Sequence, residues 1–240
     1  MKKIFIFFLF SLTLFSAFPA LSASSFLTRD EIPDGSIFLP LPPKVSDNDF
    51  IYDKLHYEWG KSIRNTSRGK QAVGDDNTSI DYLFKIFSEP FGLTISSENT
   101  PKIAELMTRV LATSHLAIEK SKTIVMRIRP FIRFNEPSAV PHKEERLKNN
   151  SSYPSGHTTM AWSLALVLAE INPANQNEIL KRGFEYGQSR VIIGVHYQTD
   201  VDAARLLASA LINRLQTNDD FAGQLKKARQ EFINLKPSGN

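Results

Sequence analysis

Three short segments between residues 122 and 200 carry side chains that could bind and attack an anion. In chain order they hold Lys122 with Arg129-Pro130, then Pro154-Ser155-Gly156-His157, then Ser189-Arg190 with His196 and Asp200. Lysine and arginine donate charge-assisted hydrogen bonds to phosphate oxygens, and a neutral histidine can act as a nucleophile. Together the three segments predict a phosphate site.

The second segment predicts the first turn of a helix. Pro154 does not continue a preceding helix, Ser155 is a favoured N-cap residue, and apolar residues then recur with helical spacing as far as Ile171. The first amides of such a helix have no partner, and Gly156 leaves space for an anion beside them. His157 would then lie against the bound anion. Taken alone, this tetrapeptide is more typical of an ordinary capped helix.

The third segment predicts a nucleophile. His196 and Asp200 lie four residues apart, on the same side of the chain if the segment is helical. A carboxylate bound to one imidazole nitrogen fixes the tautomer and leaves the other nitrogen free to attack. Arg190 adds a planar guanidinium for phosphate oxygens. The alternative for the pair alone is an ordinary histidine–aspartate contact at the surface.

The first segment predicts two cations on one helix face. Lys122 and Arg129 lie seven residues apart, which is two helical turns, and Pro130 is expected to end that helix. The other cations of this region are expected to be solvated charges, namely Lys120, Arg127 and Arg133. The histidines outside the three segments are expected to be structural or exposed, namely His56, His115 and His142.

Apolar residues at spacings of three and four predict the helices that must position these segments. The predicted ranges are 49–63, 80–91, 103–125, 158–171, 178–186, 204–215 and 221–232. Strand alternation is scarce, and 191–193, Val-Ile-Ile, is too short to support a sheet. We therefore predict an all-α, single-domain helical bundle over 47–240, preceded by an extended, proline-containing arm over 24–46 that runs along the surface.

The first 23 residues have the pattern of a secretory signal peptide. Lys2 and Lys3 precede an apolar run, and small residues follow, so cleavage is expected after Ser22 or Ala23, with a retained membrane anchor as the alternative. Periplasmic export without stable membrane insertion is the expectation. Removing the two lysines lowers the net charge from +4 to +2, which is too small an excess for a partner that is a nucleic-acid polymer. The sequence has no cysteine, which excludes disulfides and thiolate chemistry.

The order and spacing of all three segments resemble the phosphatidic acid phosphatase type 2 and vanadium haloperoxidase superfamily. Within it, the chain is similar to the class A bacterial non-specific acid phosphatases and the related bacterial apyrases. The similarity extends through 169–173, 181–183 and 200–203 and is expected to cover the whole mature chain. One residue departs from the class A pattern: Ser151 stands where a glycine is usual, which is expected to alter pocket shape and substrate preference.

The resemblance implies a role for each motif residue. Lys122, Arg129 and Arg190, the Ser155 hydroxyl and the Gly156 amide would bind phosphate oxygens. His196, oriented by Asp200, would form a phosphohistidine, while His157 would protonate the leaving oxygen and then serve as a base. A bell-shaped pH profile on the acidic to near-neutral side is expected.

No metal and no other cofactor are expected, because three fixed cations can stabilise the charge of a transferring phosphoryl group. The substrate would be a small phosphoester or nucleotide. An apyrase acting on nucleoside tri- and diphosphates is the main alternative. Remote alternatives are a vanadate-dependent haloperoxidase, a phosphate-binding protein without turnover and a lipid phosphatase. The resemblance also allows a homodimer.

Overall fold

The computed structural model describes residues 24–236, which form a bundle of α-helices. The predicted signal peptide, 1–23, lies outside the described residues. The helices are α1 (Gly35–Phe38), α2 (Phe50–Ser62), α3 (Ser67–Gly74), α4 (Ile80–Phe91), α5 (Pro101–Ser121), α6 (Pro130–Arg133), α7 (Glu144–Leu147), α8 (Gly156–Ile171), α9 (Gln176–Ile192), α10 (Gln198–Leu215) and α11 (Asp219–Leu235). Short 3-10 turns cover Pro141–Lys143 and Pro173–Asn175. Residues 24–236 contain no β-strand, which confirms the all-α prediction.

Helix α8 lies at the centre of the bundle. Most of its side chains are buried, and it packs against α9, α10 and α5. A helix that is apolar on all sides is expected in such an interior position. The approach to α9 is close enough that a Cβ added at Gly183 would lie 2.5 Å from Ala165 Cβ. Because α8 begins at Gly156, the central packing also fixes where its first turn lies.

The arm over residues 24–46 differs from the surface strap predicted for it. It contains the short helix α1, and four of its side chains are buried in the main core, namely Phe26, Leu27, Ile32 and Leu39. The Phe26 ring lies edge-on to Phe221 of α11 with centroids 5.3 Å apart, and the Phe26 amide donates to Thr113 Oγ1 of α5 over 2.9 Å. The arm is therefore part of the hydrophobic core.

Most predicted helices agree with the structure to within a few residues, and three differ more. Helix α5 ends at Ser121 instead of 125, α9 extends to Ile192 instead of 186, and α10 begins at Gln198 instead of 204. Helix α3 was not predicted, because its sequence, SRGKQAVG, lacks an apolar stripe. Its start is set by Thr66, whose side chain accepts from the Gly69 amide.

The prediction that Lys122 and Arg129 share one helix face is wrong. Lys122 is the C-cap of α5, and its amide makes the last helical hydrogen bond, to Ile118 O over 2.9 Å. Pro130 begins α6 and does not end a longer helix. The β-branched residues that follow Lys122, at 123–125, disfavour helical continuation. The two cations therefore enter the site from the two ends of a non-helical segment.

No helix within residues 24–236 has the length and apolar character needed to span a lipid bilayer.

Candidate active site

The first turn of α8 brings the second motif beside the third. Ser155 is the N-cap of α8 and is fully buried, and its amide donates to the main-chain oxygen of Asp200 over 3.0 Å. Its hydroxyl accepts from Thr158 Oγ1 over 2.9 Å. A Cβ at Gly156 would lie 3.2 Å from the side chain of Ile118, so the glycine also permits close packing on α5. The two motifs are thus joined by a main-chain hydrogen bond.

Asp200 holds His196 by one ring nitrogen. It lies in the first turn of α10, where its Oδ2 accepts from the Tyr197 amide over 2.9 Å and lies 3.3 Å from His196 Nδ1. His196 Nε2 lies 3.2 Å from Arg129 Nη1, which can only donate. We therefore assign the proton to Nδ1 and the lone pair to Nε2. Burial and the positive charges of Arg129 and Lys122 keep the pKa of His196 well below its ordinary value.

Lys122 and Arg129 are cations without an anionic partner. Neither forms an ion pair within 4 Å with a carboxylate among residues 24–236. Lys122 Nζ donates to Ser151 O over 2.5 Å, and Arg129 donates to main-chain oxygens including Val195 O over 2.9 Å. Burial and the neighbouring Arg129 lower the pKa of Lys122 to about 7. Burial likewise lowers the pKa of Arg129 to about 10, with Arg190 contributing.

Arg190 and His157 form the other side of the site. Arg190, near the end of α9, is 1% exposed, and its Nε and Nη1 make no hydrogen bond to any described residue. Its main-chain oxygen accepts from the His196 amide over 3.3 Å, which keeps the two motif residues adjacent. Burial, followed by the charge of Arg190, lowers the pKa of His157 well below its ordinary value. A buried guanidinium without hydrogen-bond partners is suited to an incoming anion.

All eight motif residues assigned to the site therefore lie together in the structure. Those eight are Lys122, Arg129, Ser155, Gly156, His157, Arg190, His196 and Asp200. The two sides of the site also affect each other electrostatically. The charge of Arg190 lowers the pKa of His157 beside it and the pKa values of Arg129 and His196 on the other side. The described residues contain no group of three or more His, Cys, Asp or Glu side chains placed to hold a metal ion.

Arg127 is a positioning residue that the sequence reasoning missed. It was expected to be a solvated charge, but it is buried between two carboxylates. Its Nη1 donates to Asp200 Oδ1 over 2.5 Å, and its Nη2 donates to Asp53 Oδ2 of α2 over 2.6 Å. Each oxygen of Asp200 thus has its own donor. The local sequence pointed the other way, because the alternation Met-Arg-Ile-Arg at 126–129 favours burial of the apolar residues, whereas Met126 and Ile128 are exposed and both arginines are buried.

Two aspartates in the loop after α3 were also missed. Asp75 is fully buried and accepts from Ser189 Oγ over 2.7 Å and from Arg182 Nη1 over 3.1 Å. Asp76 faces the opposite way, toward the site, with its Oδ1 2.9 Å from Arg190 Nη1. Nothing in the local sequence, Gly-Asp-Asp-Asn, distinguishes these residues from an ordinary polar turn.

Ser151, the departure from the class A pattern, does not point its side chain at the cations. Its hydroxyl donates to Val125 O over 2.7 Å and accepts from the amides of Arg127 and Tyr153. Its main-chain oxygen, which any residue would supply, is what Lys122 contacts. The Ser151 hydroxyl therefore makes no contact with the Lys122 or Arg129 side chain that would support the expected effect on pocket shape.

Comparisons with known proteins agree with these motifs. Residues 106–218 match the PAP2 superfamily. A non-specific acid phosphatase of Providencia stuartii is 44% identical over 88% of this chain and 86% of its own length. A non-specific acid phosphatase of Salmonella typhimurium is 37% identical over 97% of this chain and 93% of its own length. An acid phosphatase of Zymomonas mobilis is 30% identical over 86% of this chain and 78% of its own length.

Proposed function

This chain belongs to the non-specific acid phosphatases of the PAP2 superfamily, and we propose that it cleaves phosphate monoesters through a phosphohistidine formed on His196. Membership of the family makes it an acid phosphatase, a hydrolase of phosphate monoesters.

The phosphoryl group binds between Lys122, Arg129 and Arg190. The support is the electrostatics of the free site, where, besides burial, the charge of Arg129 lowers the pKa of Lys122 and the charge of Arg190 lowers the pKa of Arg129. A phosphate dianion relieves this repulsion and supplies acceptors for Nε and Nη1 of Arg190, which make no hydrogen bond to residues 24–236. The amide of Gly156, in the first turn of α8, and the Ser155 hydroxyl add hydrogen bonds to the same oxygens.

His196 then attacks phosphorus in line. The Nε2 lone pair forms the P–N bond as the bond from phosphorus to the leaving oxygen breaks. The proton on Nδ1 stays with the ring, and Asp200 balances the charge of the resulting N-phosphorylated imidazolium. The three cations stabilise the charge on the equatorial oxygens, which is the main requirement of phosphoryl transfer.

His157 gives its proton to the leaving oxygen. In the free protein, burial and the charge of Arg190 lower the pKa of His157 well below its ordinary value. The negative charge of a bound phosphoester opposes both effects, so His157 takes up its proton in the complex. A water molecule then attacks the phosphohistidine while His157 accepts its proton, which releases phosphate and restores the Nε2 lone pair.

A single observation carries the proposal. Asp200 holds His196 Nδ1, while His196 Nε2 faces Arg129. Arg129 and its neighbour Lys122 form no ion pair with a carboxylate among residues 24–236. A site that only binds phosphate needs the cations but has no use for an imidazole held in one tautomer.

The test compares phosphate release by wild type, His196→Ala and His115→Ala, in chelator. His115 is an exposed histidine of α5, so its variant controls for loss of an imidazole away from the site. We expect His196→Ala to lose activity by about a thousandfold or more and His115→Ala to match wild type. Rapid quenching with labelled substrate should give an acid-labile phosphoprotein in wild type and His115→Ala, but not in His196→Ala. Substantial activity in His196→Ala would refute the proposed nucleophile.

The substrate range we propose is that of a broad monoesterase. p-Nitrophenyl phosphate and AMP should be cleaved at least as fast as ATP. The support is that the relatives in Providencia stuartii and Salmonella typhimurium are named non-specific acid phosphatases. Sequential conversion of ATP to ADP and AMP, with AMP left intact, would replace this conclusion with an apyrase.

We also propose that the enzyme is exported. The support is the signal-peptide pattern of 1–23, which lies outside the described residues. Mass spectrometry of protein recovered from the periplasm should give an N-terminus near Ser24. A full-length chain retained in the cytoplasm would contradict export.

A further inference from the structure

We propose that Asp76 is a specificity-determining residue whose carboxylate occupies a position on Arg190 that a phosphoryl oxygen needs, so that substrate and product phosphate must displace it. The inference rests on the proposed function, in which Arg190 binds the phosphoryl group. The loop after α3, which lies outside the three motifs, would thus directly affect the affinity for phosphate.

The contact between Asp76 and Arg190 is an ion pair of poor hydrogen-bond geometry. Asp76 Oδ1 lies 2.9 Å from Arg190 Nη1, and both side chains are buried. Neither atom makes a hydrogen bond to any residue in the range 24–236. Charges that are close but not well aligned gain less than aligned ones, so a phosphate oxygen with better geometry can take the place of the carboxylate.

The main chain at Asp76 is held firmly in place. Asp75 is anchored to Ser189 Oγ over 2.7 Å, and the Tyr186 hydroxyl donates to Asn77 O over 2.8 Å. Both anchors come from α9, the helix that also carries Arg190. The carboxylate therefore faces the guanidinium because the loop is fixed on both sides. Displacement by phosphate has to occur by rotation of the Asp76 side chain.

Asp76 also lines a surface pocket. The pocket has a volume of about 390 Å³ and is lined by Asp76, Asn77, His142 and Lys143, among others. Lys143 contacts the Asp76 carboxylate from the pocket side, and His157 Nε2 lies 3.3 Å from the main-chain oxygen of Asp76. Once turned away from Arg190, the carboxylate keeps Lys143 as its partner.

Two anions cannot share the Arg190 guanidinium without repulsion. Asp76 therefore weakens binding of phosphate and of the phosphoester ground state, and it favours departure of the product. Replacing the carboxylate by an amide of the same shape removes the competing charge. We expect Asp76→Asn to lower both the inhibition constant of inorganic phosphate and KM by about tenfold.

The experiment measures phosphate inhibition, KM and kcat for p-nitrophenyl phosphate in wild type, Asp76→Asn and Asp81→Asn. Asp81 is exposed in the first turn of α4, so Asp81→Asn makes the same charge change away from the site. We expect it to alter the inhibition constant by less than about twofold, because solvent screens an exposed charge. An unchanged or raised inhibition constant in Asp76→Asn overturns the inference. So does a loss of kcat alone, which would make Asp76 a positioning residue for His157.

Binding without turnover separates this inference from the proposed function. Calorimetry with inorganic phosphate on His196→Ala gives the reference dissociation constant, and adding Asp76→Asn should lower it by about tenfold. If adding Arg190→Ala to His196→Ala leaves binding intact, the proposed function fails. If Arg190→Ala abolishes binding but Asp76→Asn has no effect, only the role of Asp76 fails. If Asp76→Asn does not fold, Asp76→Ala is used in its place, and its folding is checked by thermal unfolding.

Discussion

Anion affinity should fall as pH rises through the pKa of Lys122. Burial and Arg129 lower that pKa to about 7 in the free protein, so the ammonium group is charged below this pH and neutral above it. A bound dianion favours the charged form and raises the pKa again. Above neutral pH, binding must therefore take up a proton, and this requirement reduces the observed affinity.

The size of the effect follows from the fraction of Lys122 that is protonated. A group with a pKa of about 7 is about nine-tenths protonated at about pH 6 and about one-tenth protonated at about pH 8. The affinity of wild type should therefore fall about tenfold over this range through Lys122 alone, which is about 1.4 kcal/mol.

Isothermal titration with sulfate gives the cleanest measurement, because sulfate remains a dianion throughout and does not titrate itself. Lys122→Arg is the matched control, since a guanidinium stays protonated over the whole range. Between about pH 6 and about pH 8, the affinity for sulfate should fall about tenfold more in wild type than in Lys122→Arg. Equal slopes in the two proteins would refute the reasoning and assign the titration to another group.

Three further predictions concern stability, each measured by chemical denaturation. Arg127→Ala leaves two buried carboxylates without their shared cation and should cost about 3–5 kcal/mol of unfolding free energy; a loss below about 1 kcal/mol would mean that water replaces the guanidinium. Gly183→Ala places a Cβ against α8 and should lower the free energy of unfolding by about 1–3 kcal/mol. Gly223→Ala is the control: a Cβ there has nothing within 4 Å and should stabilise α11 by up to about 1 kcal/mol. Equal effects of the two variants would contradict the tight packing of α9 on α8. Ser151→Gly should cost about 1–2 kcal/mol through lost hydrogen bonds while KM stays close to wild type, and a changed KM with unchanged stability would show that this side chain acts on substrate.

The sequence was a good guide where chemistry and local structure depend on neighbouring residues. Ser155 is an N-cap because serine satisfies the first amides of a helix, and that relation is visible in the tetrapeptide itself. The carboxylate of Asp200 reaches His196 across four residues, also a local relation. The apolar spacing of α8 and α4 predicted their bounds closely, because α8 is surrounded by the hydrophobic core and α4 packs on it.

The remaining features depend on contacts across the chain. Arg127 looked like a solvated charge because its counter-charges, Asp53 and Asp200, lie 74 and 73 residues away in sequence. The helix predicted through this segment failed because its main chain bonds elsewhere: the Ser152 amide donates to Arg127 O over 3.0 Å. Asp76 meets Arg190 only after the loop after α3 is bound to α9. The spacing of residues along the chain does not indicate such long-range contacts.

The buried arm has a consequence for the order in which the protein folds. Phe26 bonds through its main-chain oxygen to Asn218, 192 residues later, and its ring packs on Phe221. Synthesis delivers the arm early and its partners from α11 last, so the arm cannot dock until nearly the whole chain has emerged. The arm is synthesised first among the described residues but is then among the last segments to pack into the core. Native-state hydrogen exchange should therefore find the arm opening before α8.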